Sequence, residues 1–175
     1  MGSGWRRPRP WPRLPRRSTL LIIVFAALAA AGLAWTPPPV MVTAPGAVTV
    51  VDGDTFRIGR ETIRLQGIDA PELRQACADG WPAGEVAREA LADLLWAGRP
   101  KCERVKTDRY GRTVAVCRVN DEDIAAAMAR RGLAWSYMTY SVRYLPEEVL
   151  ARYDGVGVHA HVCASPADWR ALHPH

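Results

Sequence analysis

The sequence predicts an α+β domain, mainly β, in which five short strands close into a small barrel accompanied by about three helices. Two observations carry this expectation. Five runs between residues 47 and 119 are rich in β-branched and apolar residues and are punctuated by Gly- and Asp-containing turns, and the apolar positions switch to helical spacing in three other places. A regular βαβ alternation, which a parallel doubly wound sheet would require, is absent. At 175 residues the chain suffices for one domain with a real core and a modest appendage.

The elements follow in order. Residues 1–35 read as a targeting segment: an Arg- and Pro-rich stretch to Arg17, an apolar run from Thr19 to Trp35, then Pro37, Pro38 and Pro39. The run suits either a cleaved signal peptide or an uncleaved signal-anchor helix, and both send the rest of the chain across the membrane. Residues 36–46 are proline-rich and uncharged, as expected of an extended spacer, and the globular domain is expected over 47–175. Ala47–Val51, Thr55–Ile58 and Thr62–Leu65 read as strands joined by Asp52-Gly53-Asp54 and by a turn at Gly59. Val86, Ala90, Leu91, Leu94 and Leu95 place a helix over 83–97, closed by Gly98. Lys101–Thr107 and Arg112–Val119 form a hairpin about Asp108-Arg109-Tyr110-Gly111. A short helix runs from Asp121 or Glu122 to Arg131 before Gly132, and a third from Pro146 to Tyr153. Five strands with interspersed helices fit a closed barrel of the OB type.

Charge excludes one easy argument. The formal charge is +5, but six arginines lie in the first 17 residues, and beyond them 17 Lys and Arg face 18 Asp and Glu. Any affinity for an anion must therefore rest on particular arginines. Four cysteines in an exported chain favour two disulfides. If Thr107 faces Arg112 across the hairpin, Cys102 lies opposite Cys117, which leaves Cys77 for Cys163; two unpaired core cysteines are the alternative. His159, His161 and Cys163 alternate as zinc ligands might, but a disulfide and two surface histidines account for them equally. Trp96, Trp135 and Trp169 read as packing residues rather than base-stacking platforms.

Chemistry concentrates in three segments: Val51-Asp52-Gly53-Asp54-Thr55, Ile63-Arg64-Leu65-Gln66-Gly67-Ile68-Asp69-Ala70-Pro71-Glu72, and Asp108-Arg109-Tyr110-Gly111-Arg112. Singly, each is ordinary turn chemistry. Jointly, acids on separate loops can converge on a hard cation while arginines bracket an anion. In this combination and order the sequence resembles the staphylococcal nuclease (thermonuclease) family, from about Val48 to Tyr140 with a looser continuation to Trp169. The resemblance implies calcium ligands at Asp54, Asp69 and the backbone carbonyl of Ala70, and a catalytic set of Arg64, Glu72 and Arg112. It implies a calcium-dependent nuclease that hydrolyses phosphodiester bonds of DNA or RNA, leaving a 3′-phosphate and a 5′-hydroxyl. Asp52 is secondary, either supporting a ligand or forming the turn. Ala70 stands where the family often has threonine, which leaves a carbonyl ligand unaffected. Of the family's two nucleotide-gripping tyrosines, one matches Tyr140 and the other falls on Met138, next to Tyr137. The expected protein is monomeric and faces outward, membrane-held if its leader is kept and secreted if it is cut.

Two rivals deserve weight. Asp52-Gly53-Asp54-Thr55 also fits an Asp-x-Asp-x-Thr phosphatase with Asp52 as nucleophile, but that needs a doubly wound parallel sheet. A non-catalytic nucleic-acid-binding module on the same barrel would not need Glu72, because binding alone requires no general base.

Overall fold

Strand-forming residues and tight turns dominate the first half of the molecule, and the computed structural model shows how they pair. It describes residues 41–42, 47–139 and 141–174. The targeting segment at 1–35, most of the proline-rich stretch, and Tyr140 lie outside the described residues. Among those described, no helix is long and apolar enough to cross a membrane.

Nine strands and four helices are described. In chain order they are β1 (Met41–Val42), β2 (Val48–Val50), β3 (Thr55–Ile58), β4 (Glu61–Leu65), β5 (Ile68–Asp69), α1 (Ala83–Trp96), β6 (Lys101–Thr107), β7 (Thr113–Val119), β8 (Glu122–Asp123), α2 (Ile124–Arg130), β9 (Trp135–Ser136), α3 (Leu145–Asp154) and α4 (Pro166–Leu172), with a 3₁₀ turn at Gly157–His159. The main sheet runs β1-β6-β7-β4-β3-β2, with β8 beside β7, and β5 pairs β9 in a separate ribbon. Most ladders are antiparallel, but β4 and β7 run parallel, with Arg64 opposite Val114.

Four expectations change. The five-stranded closed barrel is, among the described residues, an open seven-stranded sheet plus a two-stranded ribbon. The domain is not mainly β, because α4 joins the three expected helices and helical residues match strand residues in extent. Met41–Val42 lies inside the stretch expected to be a spacer, yet pairs with Glu103 and Cys102 of β6. The parallel contact closes over 49 residues that include α1, so local turn patterns gave no sign of it. The predominantly antiparallel sheet also removes the phosphatase reading, which requires a parallel doubly wound one.

The hairpin opens one residue out of the expected register, with Thr107 facing Thr113 rather than Arg112, and a bulge between Arg104 and Lys106 restores it. Cys102 faces Cys117, and the two are joined by a disulfide; a second disulfide joins Cys77 to Cys163. One apolar core ties the sheet to the helices: Phe56, Ile63 and Leu65 from β3 and β4 meet Leu91 and Leu95 of α1 and Ile124 and Met128 of α2. Full burial of each such side chain contributes about 1.5–3 kcal/mol. This core makes the sheet a rigid base for the loops at the ends of β2, β4 and β5.

Two carboxylates, one a helix cap and one a tie to a strand, sharpen the helical half. Asp123 opens α2 by accepting the N–H groups of Ala125 and Ala126 at 3.1 and 3.3 Å, and the buried Tyr144 hydroxyl donates to the same carboxylate. Burial and then the Asp123 charge push the Tyr144 hydroxyl's pKa well above the usual phenol range. Glu148 of α3 is buried, accepts the Ser136 N–H at 2.7 Å, and pairs with Arg152 at 2.6 Å. That bond holds β9, and hence its partner β5, against the helices.

Candidate active site

Two residues without large side chains bring the acidic loops together. A Cβ at Gly53 would lie 2.7 Å from the Cβ atoms of both Ala70 and Ala87, so only glycine lets the Asp52–Asp54 turn pack on β5 and α1. A Cβ at Gly84 would lie 1.9 Å from the Glu72 carbonyl oxygen, so α1 presses directly on the backbone that presents Glu72. The small Ala70 belongs to the same close packing. Backbone bonds complete the frame: Leu65 N–H donates to the Asp54 carbonyl at 2.8 Å, and Tyr137 N–H to the Gly67 carbonyl at 2.9 Å.

The side chains then form a connected chain of charges. Asp54 is 3% exposed and Asp69 5% exposed. Arg64 bridges them, with Nη1 2.5 Å from Asp54 Oδ1 and Nη2 2.8 Å from Asp69 Oδ1. Thr55 Oγ1 and Ala70 N–H donate to Asp54 at 2.9 and 3.0 Å. Arg170 extends the chain, 2.9 Å from Asp69 Oδ2 and 2.7 Å from Glu72 Oε1. Burial works against the Arg64 charge, but the Asp54 and Asp69 carboxylates outweigh it and raise the Arg64 pKa. Arg170 shifts the same way, mainly through its hydrogen bond to Asp69.

Asp52 belongs to the turn: its Oδ1 accepts the Asp54 N–H at 3.1 Å. Burial, and next the Asp54 charge, push its carboxyl up to about 7. Negative charge in this pocket is thus costly without a cation beside it.

Arg112 stands apart from the chain of charges. It precedes β7, the strand paired with β4, but its Nε lies 2.7 Å from Asp108 Oδ2 and its N–H 2.9 Å from Asp108 Oδ1. Burial pushes the Asp108 carboxyl up, while the Arg112 side chain and the N–H groups of Arg112 and Tyr110 outweigh it and hold it below the usual carboxylate range. Of the five residues expected to act together, four are joined through ion pairs, and Arg112 is held by its own turn. Met138 is 62% exposed.

The donor set fits calcium in its chemistry. Among the described residues no three His, Cys, Asp or Glu side chains form a ready-made metal cluster. Two buried carboxylates and the Ala70 carbonyl are nonetheless hard oxygen donors of the kind calcium takes together with water. Cys163 is in a disulfide, and His161 Nδ1 lies 2.7 Å from Asp79, so these two residues are engaged elsewhere.

A family model described as "Staphylococcal nuclease homologue" matches residues 62–157, more than half of the chain. The chain belongs to the staphylococcal nuclease family. Staphylococcal nuclease domains are OB-folds, and the described residues share the α+β make-up of that fold, with no closing ladder among them. A succinoglycan biosynthesis protein, ExoI, of Rhizobium meliloti (strain 1021) is 33% identical over 94% of this chain and 91% of its own length. An uncharacterized endonuclease of Haemophilus influenzae is 34% identical over 70% of each chain, and a micrococcal nuclease of Shigella flexneri 37% identical over 53% of this chain and 58% of its own.

The sequence reading missed Arg170 and the helix that carries it. Ser165-Pro166-Ala167-Asp168 is a capping signature with Pro at the first helical position, and Ser165 Oγ does accept the Asp168 N–H at 3.2 Å. That signal could have located the helix, although not its target.

Proposed function

We propose that this staphylococcal-nuclease-type domain is an exported, calcium-dependent nuclease that hydrolyses phosphodiester bonds in DNA or RNA. One observation carries the reading: two buried carboxylates from different loops converge on a single guanidinium, with Glu72 linked to the same cluster, and Arg64, Asp69 and Glu72 lie inside the segment that the family model matches. Export is supported by the two disulfides, which persist in oxidising compartments. Asp54, Asp69 and the Ala70 carbonyl would hold the calcium ion. Bound there, calcium supplies positive charge to a non-bridging phosphate oxygen.

The remaining work falls to side chains of the chain itself. Glu72 orients the attacking water and takes its proton. Arg64 and Arg112 offer planar forks to the phosphate oxygens as negative charge gathers on phosphorus, a geometry that lysine cannot reproduce. The water attacks phosphorus in line with the 5′ oxygen, which takes a proton from solvent as it leaves, so the products are a 3′-phosphate and a 5′-hydroxyl.

A plasmid-nicking assay tests this reading. The parent protein is expected to nick with calcium and to stop with chelator, and Glu72→Gln is expected to lose about 10²–10⁴-fold in rate while keeping its fold. Retention of DNA without nicking by the parent would instead mark a binding module.

A further inference from the structure

The ion-pair chain ends on a residue from the far end of the molecule. Arg170 stands 101 positions from Asp69 and 98 from Glu72, yet one guanidinium reaches both, at 2.9 and 2.7 Å. Its delivery is built into the fold. The Cys77–Cys163 disulfide fastens the segment before α4 to the loop after Glu72. Ala78 N–H donates to the Val162 carbonyl at 2.9 Å, and His161 stacks on Trp81 with ring centroids 4.4 Å apart. Gln75, 1% exposed, accepts the Glu72 N–H at 3.1 Å and donates to the Ala164 carbonyl at 2.8 Å. The backbone that presents Glu72 and the segment that presents Arg170 are thus joined through one buried amide.

Asp69 is shared between two guanidiniums: Oδ1 takes Arg64 at 2.8 Å and a long 3.4 Å bond from Arg170, while Oδ2 takes Arg170 at 2.9 Å. A cation binding Asp69 must loosen one of them. The Arg64 side chain is 18% exposed and clamped between two buried carboxylates, whereas that of Arg170 is 38% exposed and has Glu72 as a second partner. Separating a buried pair costs far more than separating a solvated one, so Arg170 is the group that yields.

We propose that Arg170 is a positioning residue of this site, holding Glu72 in place and occupying Asp69 until a divalent cation displaces it from that carboxylate. The positioning of Glu72 rests on the nuclease reading above; the competition for Asp69 does not. Displacement leaves the Arg170–Glu72 pair in place, so the acid stays oriented when the site is loaded.

The test uses the disulfide-bonded protein as parent, Arg170→Gln and Arg170→Lys, each checked by thermal melting. Calorimetric titration with calcium, without nucleic acid, is expected to give roughly 5- to 20-fold tighter binding for Arg170→Gln, in line with ordinary coupling energies between competing ligands. Arg170→Lys, which retains a point charge but no fork, should fall between the two. In nicking at saturating calcium, Arg170→Gln should lose about 10- to 100-fold in kcat with KM within about twofold, and Arg170→Lys should recover part of it. Calcium binding that is unchanged, weakened, or undetectable in parent and variants alike overturns the competition; unchanged kcat overturns the positioning. A parent that binds calcium but nicks nothing overturns the nuclease reading, while the titration still decides the competition. Should Arg170→Gln fail to melt cooperatively, parent-like calcium binding and kcat in Arg170→Lys would overturn both parts.

Discussion

The cluster at Asp54, Arg64 and Asp69 and the turn at Asp108 and Arg112 are built from the same pair of chemistries, and they differ in what surrounds them. In the first, carboxylates 3% and 5% exposed are brought together from separate loops and share the Arg64 guanidinium, with Thr55 and the Ala70 N–H also donating to Asp54 and Arg170 to Asp69. In the second, acid and base lie four residues apart in one hairpin loop, in partial contact with water. The first arrangement couples folding to the state of the site, because desolvated charges must stay matched. The second keeps Arg112 available and adds little to stability.

The strongest way to break this contrast is to remove each arginine without changing its length greatly. Arg64→Met leaves Asp54 without a counter-ion and Asp69 with Arg170 alone, and should destabilise the metal-free protein by about 3–5 kcal/mol. Arg112→Met should cost under about 1 kcal/mol. Urea unfolding of both variants measures this; equal losses would mean that burial does not separate the two regions. Both variants are expected to lose about 10²–10³-fold in nicking, because each removes a donor aimed at developing charge.

A second effect lies at Asp52. In the metal-free fold its carboxyl is raised to about 7 by burial and by Asp54, against 3.8 in the unfolded chain. A raised pKa means that the folded state binds the proton more tightly. The contribution is therefore fully present below about pH 4 and lost as pH rises through 7. Asp52→Asn keeps an oxygen for the Asp54 N–H and carries no charge, so it should match the parent near pH 4 and exceed it near pH 8 by up to about 4 kcal/mol. Melting in chelator at the two pH values reads the difference, and parallel curves would show that Asp52 carries no such penalty.

How far the sequence revealed these regions depended on the range of the contacts. Turn-bounded patterns located β3 and β6 at their observed limits and placed α1 and α3 within one residue of their observed ends. The hairpin arithmetic named the Cys102–Cys117 pair from a starting register one residue off, an offset that the bulge between Arg104 and Lys106 cancels. Asp54, Arg64, Asp69 and Glu72 could be named from family motifs, since those motifs lie in turns whose backbone needs are themselves written in Gly and Pro. The parallel β4–β7 pairing and the two-residue strands β5 and β9 were hidden, as they depend on contacts 50 or more residues apart. Arg170 was hidden for the same reason. Its neighbours in sequence predict a helix start, and only the Cys77–Cys163 and Gln75 ties say which carboxylates that helix meets.

The smallest effect belongs to Asp108, and its sign distinguishes it from Asp52. Burial raises the Asp108 carboxyl, but the Arg112 side chain and the N–H groups of Arg112 and Tyr110 outweigh it and leave its pKa below the ordinary value. A depressed pKa means that the folded state favours the ionised acid. The contribution is present above the unfolded value and disappears as pH falls through the lower folded one. Asp108→Asn keeps an oxygen for the two backbone N–H groups but puts an NH2 donor where Oδ2 accepted the Arg112 Nε–H, so the charge and that hydrogen bond are both lost. Solvent screening should hold its cost near pH 7 below about 1 kcal/mol, and parent and variant should converge near pH 2. The two aspartates thus respond to pH in opposite directions: Asp52→Asn gains over its parent on going to alkali, Asp108→Asn loses. If both variants shifted in the same direction, the buried cluster and the exposed turn would share one electrostatic environment, and the division of labour between Arg64 and Arg112 would lose its physical basis.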